Sequence, residues 1–178
     1  QSQIDQVLAD HIRFPPGMTL SSQFQGARVD FTFSMPSNTA QDQALLGDLK
    51  RTVMQQLGRY VYADSSQSLE ECVVEQLKAQ GITLALVEVG SGAHLTAALM
   101  QTPEASDGLT GSYVAPTLER LGVLLGLQPA QWKGLSPEQR TEHLAQTAAR
   151  STGSQWILVI GPPHSGRGAT PRVDVAFR

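Results

Sequence analysis

Between residues 82 and 89 the chain reads ITLALVEV, an almost unbroken apolar run. Such a run predicts a strand buried on both faces of a sheet. A second run, QWILVIG at 155–161, reads the same way, and GSYVA at 111–115 reads as a shorter strand. RVDFTF at 28–33 is different: Val29, Phe31 and Phe33 alternate with Arg28, Asp30 and Thr32, the period of a half-buried strand. RYVYA at 59–63 is also read as a strand, and RVDVAF closes the chain as a final one at 172–177.

Between these runs the apolar spacing changes to that of helices. Leu45, Leu49, Val53 and Leu57 recur every four residues, and Thr39 with Asp42 has capping-pair spacing, so residues 39–57 are predicted helical with Gly58 as the stop. Ser68 and Glu71 have capping-box spacing ahead of Leu69, Val73 and Leu77, with Gly81 at the far end. Further helices are predicted over 93–100, over 117–127 on Leu118, Leu121 and Leu125, and over 136–150, where Ser136-Pro137-Glu138-Gln139 is a helix start. A short helix is also expected over 4–12, ahead of the turn Phe14-Pro15-Pro16-Gly17. The polar break Asp64-Ser65-Ser66-Gln67 divides the chain into a small α+β domain over 1–66 and an α/β domain over 67–178. In the second domain strands and helices alternate, which implies a three-layer arrangement around a mostly parallel sheet. Ligands of such sheets sit at the carboxyl ends of the strands. Those ends are residues 89–93, Pro116 and residues 161–168.

Composition narrows the function classes. A formal net charge of -3 gives no basic footprint for nucleic acid or an acidic membrane, and no apolar stretch has the length of a membrane span. The single cysteine, Cys72, rules out an internal disulfide framework and suits a reducing, cytoplasmic setting; it reads as an inert core thiol. His11, His94, His143 and His164 lack metal-ligand spacing, so neither a metal nor a cofactor is implied. The first residues carry no basic and apolar signal-peptide pattern, and the missing initial Met reads as a piece of a longer chain.

Candidate chemistry concentrates where the buried strand meets Gly90-Ser91-Gly92. Backbone amides there offer a phosphate site at a helix start, and the same residues equally suit a plain tight turn. Glu88, closing the strand, either orients a pocket group or caps a backbone amide. In the loop GPPHSGRG, Arg167 or His164 would close over a phosphate, or the loop is simply a surface connection. Trp132 and Trp156 read as packing residues.

These segments, in this order, resemble the CinA competence/damage-inducible family. Val87-Glu88-Val89-Gly90-Ser91-Gly92-Ala93 stands where the family has a motif close to A-E-S-C-T-G-G. Glu104-Ala105-Ser106-Asp107 matches a G-A-S-D segment, and Gly111 to Pro116 matches G-G-V-V-A-Y. Ser136-Pro137-Glu138 matches an S-x-E helix start, and the residues from Ile160 through Gly161 and Pro162 to Gly166 echo T-G-I-A-G-P-G-G. Upstream, Gly58, Tyr60, Val61 and Tyr62 followed by Ser68-Leu69-Glu70-Glu71 match the end of the family's KH-like middle domain. The resemblance implies a nicotinamide mononucleotide deamidase-like pocket formed by Glu88, Gly90, Gly92, Ser106, Gly111, Gly161 and Pro162, a pyridine nucleotide ligand and self-association into a homo-oligomer. The family's separate nucleotide-hydrolysing domain is not within these residues.

The catalytic positions depart from that pattern. The family serine, an amidase nucleophile, is Val89 here; the family tyrosine is Pro116 and the lysine is Leu121. A further family arginine falls past Arg178. Valine has no lone pair with which to form an acyl-enzyme. Ser91, two residues on, is the one candidate replacement; Arg120 cannot serve as a base, and Tyr113 lies on the opposite strand face. Two readings follow: a degenerate domain retained for binding or oligomerisation, and an active amide hydrolase rearranged around Ser91. RNA binding by the first domain is disfavoured, because no G-x-x-G loop occurs before Gly58.

Overall fold

The computed structural model describes residues 6, 8, 10, 12–25, 28–162, 164–165, 171–172 and 175–177. The chain splits into two compact units, Gln1–Asp64 and Ser65–Arg178.

In the first unit, β1 (Thr19–Gln25) and β2 (Arg28–Ser34) form an antiparallel hairpin, with Leu20 opposite Phe33 and Phe24 opposite Val29. Helix α1 (Ala40–Leu57) starts at Thr39, whose hydroxyl accepts the Asp42 amide while Asp42 returns a bond to the Thr39 amide. Leu49 and Leu57 on α1 are buried with Leu8 and Ile12, against Phe31, Phe33 and Val53. Two expectations change here. Strand β1 was not predicted: TLSSQFQ is polar at five of seven positions and exposed from Thr19 to Phe24, so burial leaves no imprint on its pattern. Residues 59–63 are not a strand. Gly58 stays right-handed (φ -51°) and extends α1 into a 3-10 turn over Gly58–Tyr60, so the apolar alternation of RYVYA marks an irregular segment with Val61 packed on the core. Most of the helix expected over 4–12 lies outside the described residues; Gln6, Leu8 and Asp10 are helical.

The second unit is a three-layer α/β arrangement. Its sheet has the order β4 (Leu109–Ala115), β3 (Leu84–Val89), β5 (Trp156–Ile160), β8 (Val175–Phe177). The first three strands are parallel, and β8 runs antiparallel to β5 at the edge. All six residues of β3 are buried, as its central place requires. Period two sends Ala85, Val87 and Val89 to one face, where α5 (Leu118–Leu124) and α6 (Pro137–Thr152) contribute Leu121, Leu144, Ala145 and Ala148. Leu84 and Leu86 go to the other, beneath Val74 and Leu77 of α2 (Leu69–Gln80) and Leu99 of α3 (His94–Met100). Each fully buried leucine contributes about 2 kcal/mol.

Local chemistry sets the helix ends. Ser68 with Glu71 and Ser136 with Gln139 form the expected capping boxes, and Gly81 and Gly153 end α2 and α6 in left-handed conformations. Leu69 is a correction: it is exposed, and α2 buries Val74 and Leu77 instead. Cys72 is half-buried rather than in the core. Both tryptophans pack: Trp156 meets Phe177 edge-on at 5.0 Å, and Trp132 lies over Gly122, where a Cβ would fall 2.1 Å from its ring. The short helix α4 (Ala105–Gly108) leads into β4 and is tied to α2 through Lys78, whose ammonium meets Glu104 at 2.5 Å and Asp107 at 3.1 Å. After β5, β6 (His164–Ser165) pairs antiparallel with β7 (Pro171–Arg172), where a loop over 161–171 and a single strand over 172–177 were expected; the described part of that strand in the sheet is β8, Val175–Phe177.

Candidate functional site

Because β3, β4 and β5 run parallel, their carboxyl ends lie on one edge. Val89 stands opposite Ala115, and Glu88 opposite Val114 and Ile160. This brings Glu88, Gly90, Ser91 and Gly92 beside Pro116 on one side and Gly161 and Pro162 on the other. Ser106 and Gly111 are not brought there. Ser106 is on α4, ahead of β4, and Gly111 pairs with Ala85 near the start of β3, so both sit toward the opposite edge. Arg167 lies outside the described residues, as does the side chain of His164.

Glu88 is the centre of the arrangement. Period two places its side chain on the α3 face of the sheet, fully buried. Helix α3 has an unusual start: its N-cap residue is Ala93, in a left-handed conformation (φ 65°), with no side chain able to accept from the first amides. Glu88 supplies that acceptor from the strand. Its Oε1 accepts the Thr96 amide at 2.7 Å and the Thr96 hydroxyl at 2.5 Å. Its Oε2 accepts the Leu95 amide at 3.3 Å and the Ser91 hydroxyl at 2.5 Å. Burial pushes the carboxyl up most strongly, but the bonds from Ser91, Thr96 and Leu95 together outweigh it, and the pKa lies below its ordinary value. A negative charge at a helix start is also favoured by the helix dipole.

The turn between them is built by conformation. Gly90 and Gly92 both have φ of 70°, so with Ala93 three of four residues are left-handed. The Gly90 amide donates to the Ala115 carbonyl at 2.9 Å, tying the turn to the end of β4. The amides of Gly90, Leu95 and Thr96 are therefore all engaged within the chain. An anion placed at this helix start would meet the Glu88 carboxylate already there, which favours the tight-turn reading of Gly90-Ser91-Gly92 over a phosphate cradle.

The positions matching the family's catalytic residues have a separate fate. Val89 and Leu121 are each 0% exposed and share one core cluster on the α5/α6 side of the sheet, the face opposite Glu88. Pro116 is exposed at the end of β4. Thr96 is the residue that sequence reasoning missed. The signal was available: a carboxylate ending a buried strand needs donors, and a helix starting after Ala93 needs an acceptor. A cleft of about 260 Å³ lies elsewhere, between the start of α2 and the end of α3, with Glu70, Glu71, Ala98 and Gln101 in its walls. None of the pocket residues named from the sequence lines it. Among the described residues, no three His, Cys, Asp or Glu side chains gather as a metal site, and no helix is long and apolar enough to cross a membrane.

No protein-family model matches the chain. It is 26% identical over 159 residues to a CinA-like protein of Thermotoga neapolitana, covering 88% of this chain and 38% of that one. A CinA-like protein of Thermomicrobium roseum is 31% identical over 135 residues, covering 76% of this chain and 30% of its own length. The chain thus spans well under half the length of these curated relatives. Among solved structures, the competence/damage inducible protein CihA from Agrobacterium tumefaciens has a TM-score of 0.52 at 17% identity, over 62% of this chain and 71% of that one. A competence-damaged protein (CinA) superfamily protein from Klebsiella pneumoniae has a TM-score of 0.50 at 18% identity, over 62% and 79%. At such identities the structures speak for the fold alone. With the three-layer sheet, the ordered motif segments and these relatives in agreement, the chain belongs to the family of CinA-like, competence/damage-inducible proteins.

Proposed function

We propose that the second unit keeps the frame of a nicotinamide mononucleotide deamidase without its chemistry, and serves as a binding or assembly module. The observation that carries this reading is the burial of Val89 and Leu121. At the two positions where the family pattern has serine and lysine, hydrocarbon is packed into the core with no exposed surface. Amide hydrolysis needs a nucleophile whose proton a base removes. The two hydroxyls nearby, on Ser91 and Thr96, both donate to Glu88, and a carboxylate held below its ordinary range and bonded to four donors is a poor proton acceptor. The pyridine nucleotide remains the ligand class to test, as what the family pattern implies for the edge formed by Gly90, Gly161 and Pro162.

A second reading, an active amide hydrolase, rests on that same Ser91–Glu88 hydrogen bond, which places a hydroxyl beside a carboxylate at the strand ends. Ammonia release from nicotinamide mononucleotide separates the two. The first reading expects none from the wild-type chain, together with a rise in melting temperature if the nucleotide binds. Turnover that disappears in Ser91→Ala overturns it in favour of the second.

A further inference from the structure

We infer that Arg140 and His143, on the first two turns of α6, form an anion clamp that holds a phosphate monoester at the carboxyl edge of the sheet, on the face away from Glu88. This deepens the binding reading above and rests on it only in taking the monoester to belong to a nucleotide.

Two buried nitrogens are left over by the fold. Arg140 Nε and His143 Nε2 are both shielded from solvent, and neither has a hydrogen-bond partner among the described residues. Buried polar atoms are ordinarily satisfied. A guanidinium keeps its charge, and an imidazole donates through Nε2 when its proton sits there or when it is charged. Three residues apart on one helix, the two side chains leave neighbouring positions, with Cβ atoms about 5–6 Å apart. Both side chains are half-buried, so a ligand can still reach them from the surface. Arg150, further along α6, is by contrast engaged with the Thr147 hydroxyl at 3.3 Å.

The topology delivers this pair to the candidate site. Helix α6 ends at Gly153, shortly before Trp156, which stands opposite Leu84 at the start of β3. The helix therefore runs back against the parallel strands, and its first turns lie toward their carboxyl ends. The charge of Arg140 is felt by Glu119, in the first turn of α5, just after Pro116 and Thr117 at the end of β4. Glu119 does not use up the guanidinium. Its carboxyl is held low by its own backbone amide first and the Thr117 hydroxyl second, with the charge of Arg140 a lesser contribution.

Chemistry selects the ligand class. On the other face of the sheet an anion would meet the Glu88 carboxylate; on this face it meets Arg140 and His143 beside the apolar wall of Val89, Leu121 and Leu144. A guanidinium fork fills both oxygens of a carboxylate by itself. A phosphate monoester has three terminal oxygens, so it accepts from the fork and from an imidazole together.

The test is isothermal titration calorimetry on the full chain with inorganic phosphate, nicotinamide mononucleotide, and nicotinamide riboside, which lacks the phosphate. Wild type is expected to bind the first two and to bind the riboside more weakly than the mononucleotide. Arg140→Gln and His143→Gln are each expected to weaken phosphate binding about tenfold, the size of one lost charge-assisted hydrogen bond. Arg140→Lys keeps the charge without the fork and is expected to fall between. By NMR, the His143 ring nitrogens should shift as phosphate is added, with His143→Gln identifying their signals among the four histidines. Phosphate that fails to bind wild type, or binds Arg140→Gln as tightly, overturns the inference. So does a loss of affinity with a fall in melting temperature while the His143 signals of wild type ignore phosphate. Mononucleotide bound equally by wild type and Arg140→Gln overturns the clamp and leaves the nucleotide reading standing. Phosphate held through Arg140, with mononucleotide bound no more tightly than phosphate, supports the clamp and removes the nucleotide.

Discussion

Replacing Glu88 with glutamine exchanges one acceptor oxygen for an amide group that cannot accept from the donors around it. Whichever side the NH2 takes, one backbone amide, that of Thr96 or of Leu95, loses its acceptor inside the fold, while the hydroxyl beside it can turn to accept. Buried donors left unmade cost about 1–3 kcal/mol, so Glu88→Gln is expected to lower stability by about 2 kcal/mol, read by urea unfolding. The pH dependence has a definite sign. The folded carboxyl titrates below its ordinary value, so its contribution is complete above the unfolded pKa of about 4.3 and is lost as pH falls below that. Stability curves of wild type and variant should therefore run parallel at neutral pH and converge on acidification. A gap that stays constant to low pH would mean that Glu88 acts by packing and not by charge. At this scale the sequence was half legible: a glutamate at the end of ITLALVEV plainly needs partners, but their identity waits on which residues the turn brings back over the strand.

At the scale of elements, two helix starts are unlike the others: α3 and the single turn α4 follow left-handed residues, Ala93 and Glu104, that supply no side-chain cap. Helices α1, α2 and α6 begin on Thr39, Ser68 and Ser136, each accepting from the third residue of its own helix. Helix α3 begins on Ala93 in a conformation that costs an L-residue roughly 1 kcal/mol. Ala93→Gly is expected to raise the thermal midpoint, because glycine adopts that conformation freely and the capping acceptor resides on Glu88, untouched by the change. A fall in the midpoint would place the greater weight on packing of the alanine methyl. Elements with capping boxes were legible because the signal is local and chemical. Strand β1 and the turn over Gly58–Tyr60 were not, the first because an exposed strand has no apolar period, the second because tertiary packing of Val61 imitates one. Ser106 and Gly111 illustrate another limit: motif order along the chain does not say to which end of a sheet a residue is delivered.

At the scale of the molecule, each of the three core clusters is drawn from one unit alone. The second unit holds two of them around its four-stranded sheet, enough to expect independent folding. A fragment over residues 65–178 is expected to unfold cooperatively by calorimetry, while a broad or absent transition would mean that its core depends on the first unit. The order of the sheet then has a consequence for synthesis. Central strand β3 is flanked by β4, which follows closely, and by β5; just ahead of the two strands, the Gln155 amide and side chain bond Thr83 across 72 positions. During translation β3 therefore emerges with only one of its two neighbours, and its apolar run waits at the ribosome until α6 and β5 have been made. The hairpin and α1 need nothing later than Val61 and can settle first. The interval in which ITLALVEV stands uncovered is the stage at which this chain most needs a chaperone.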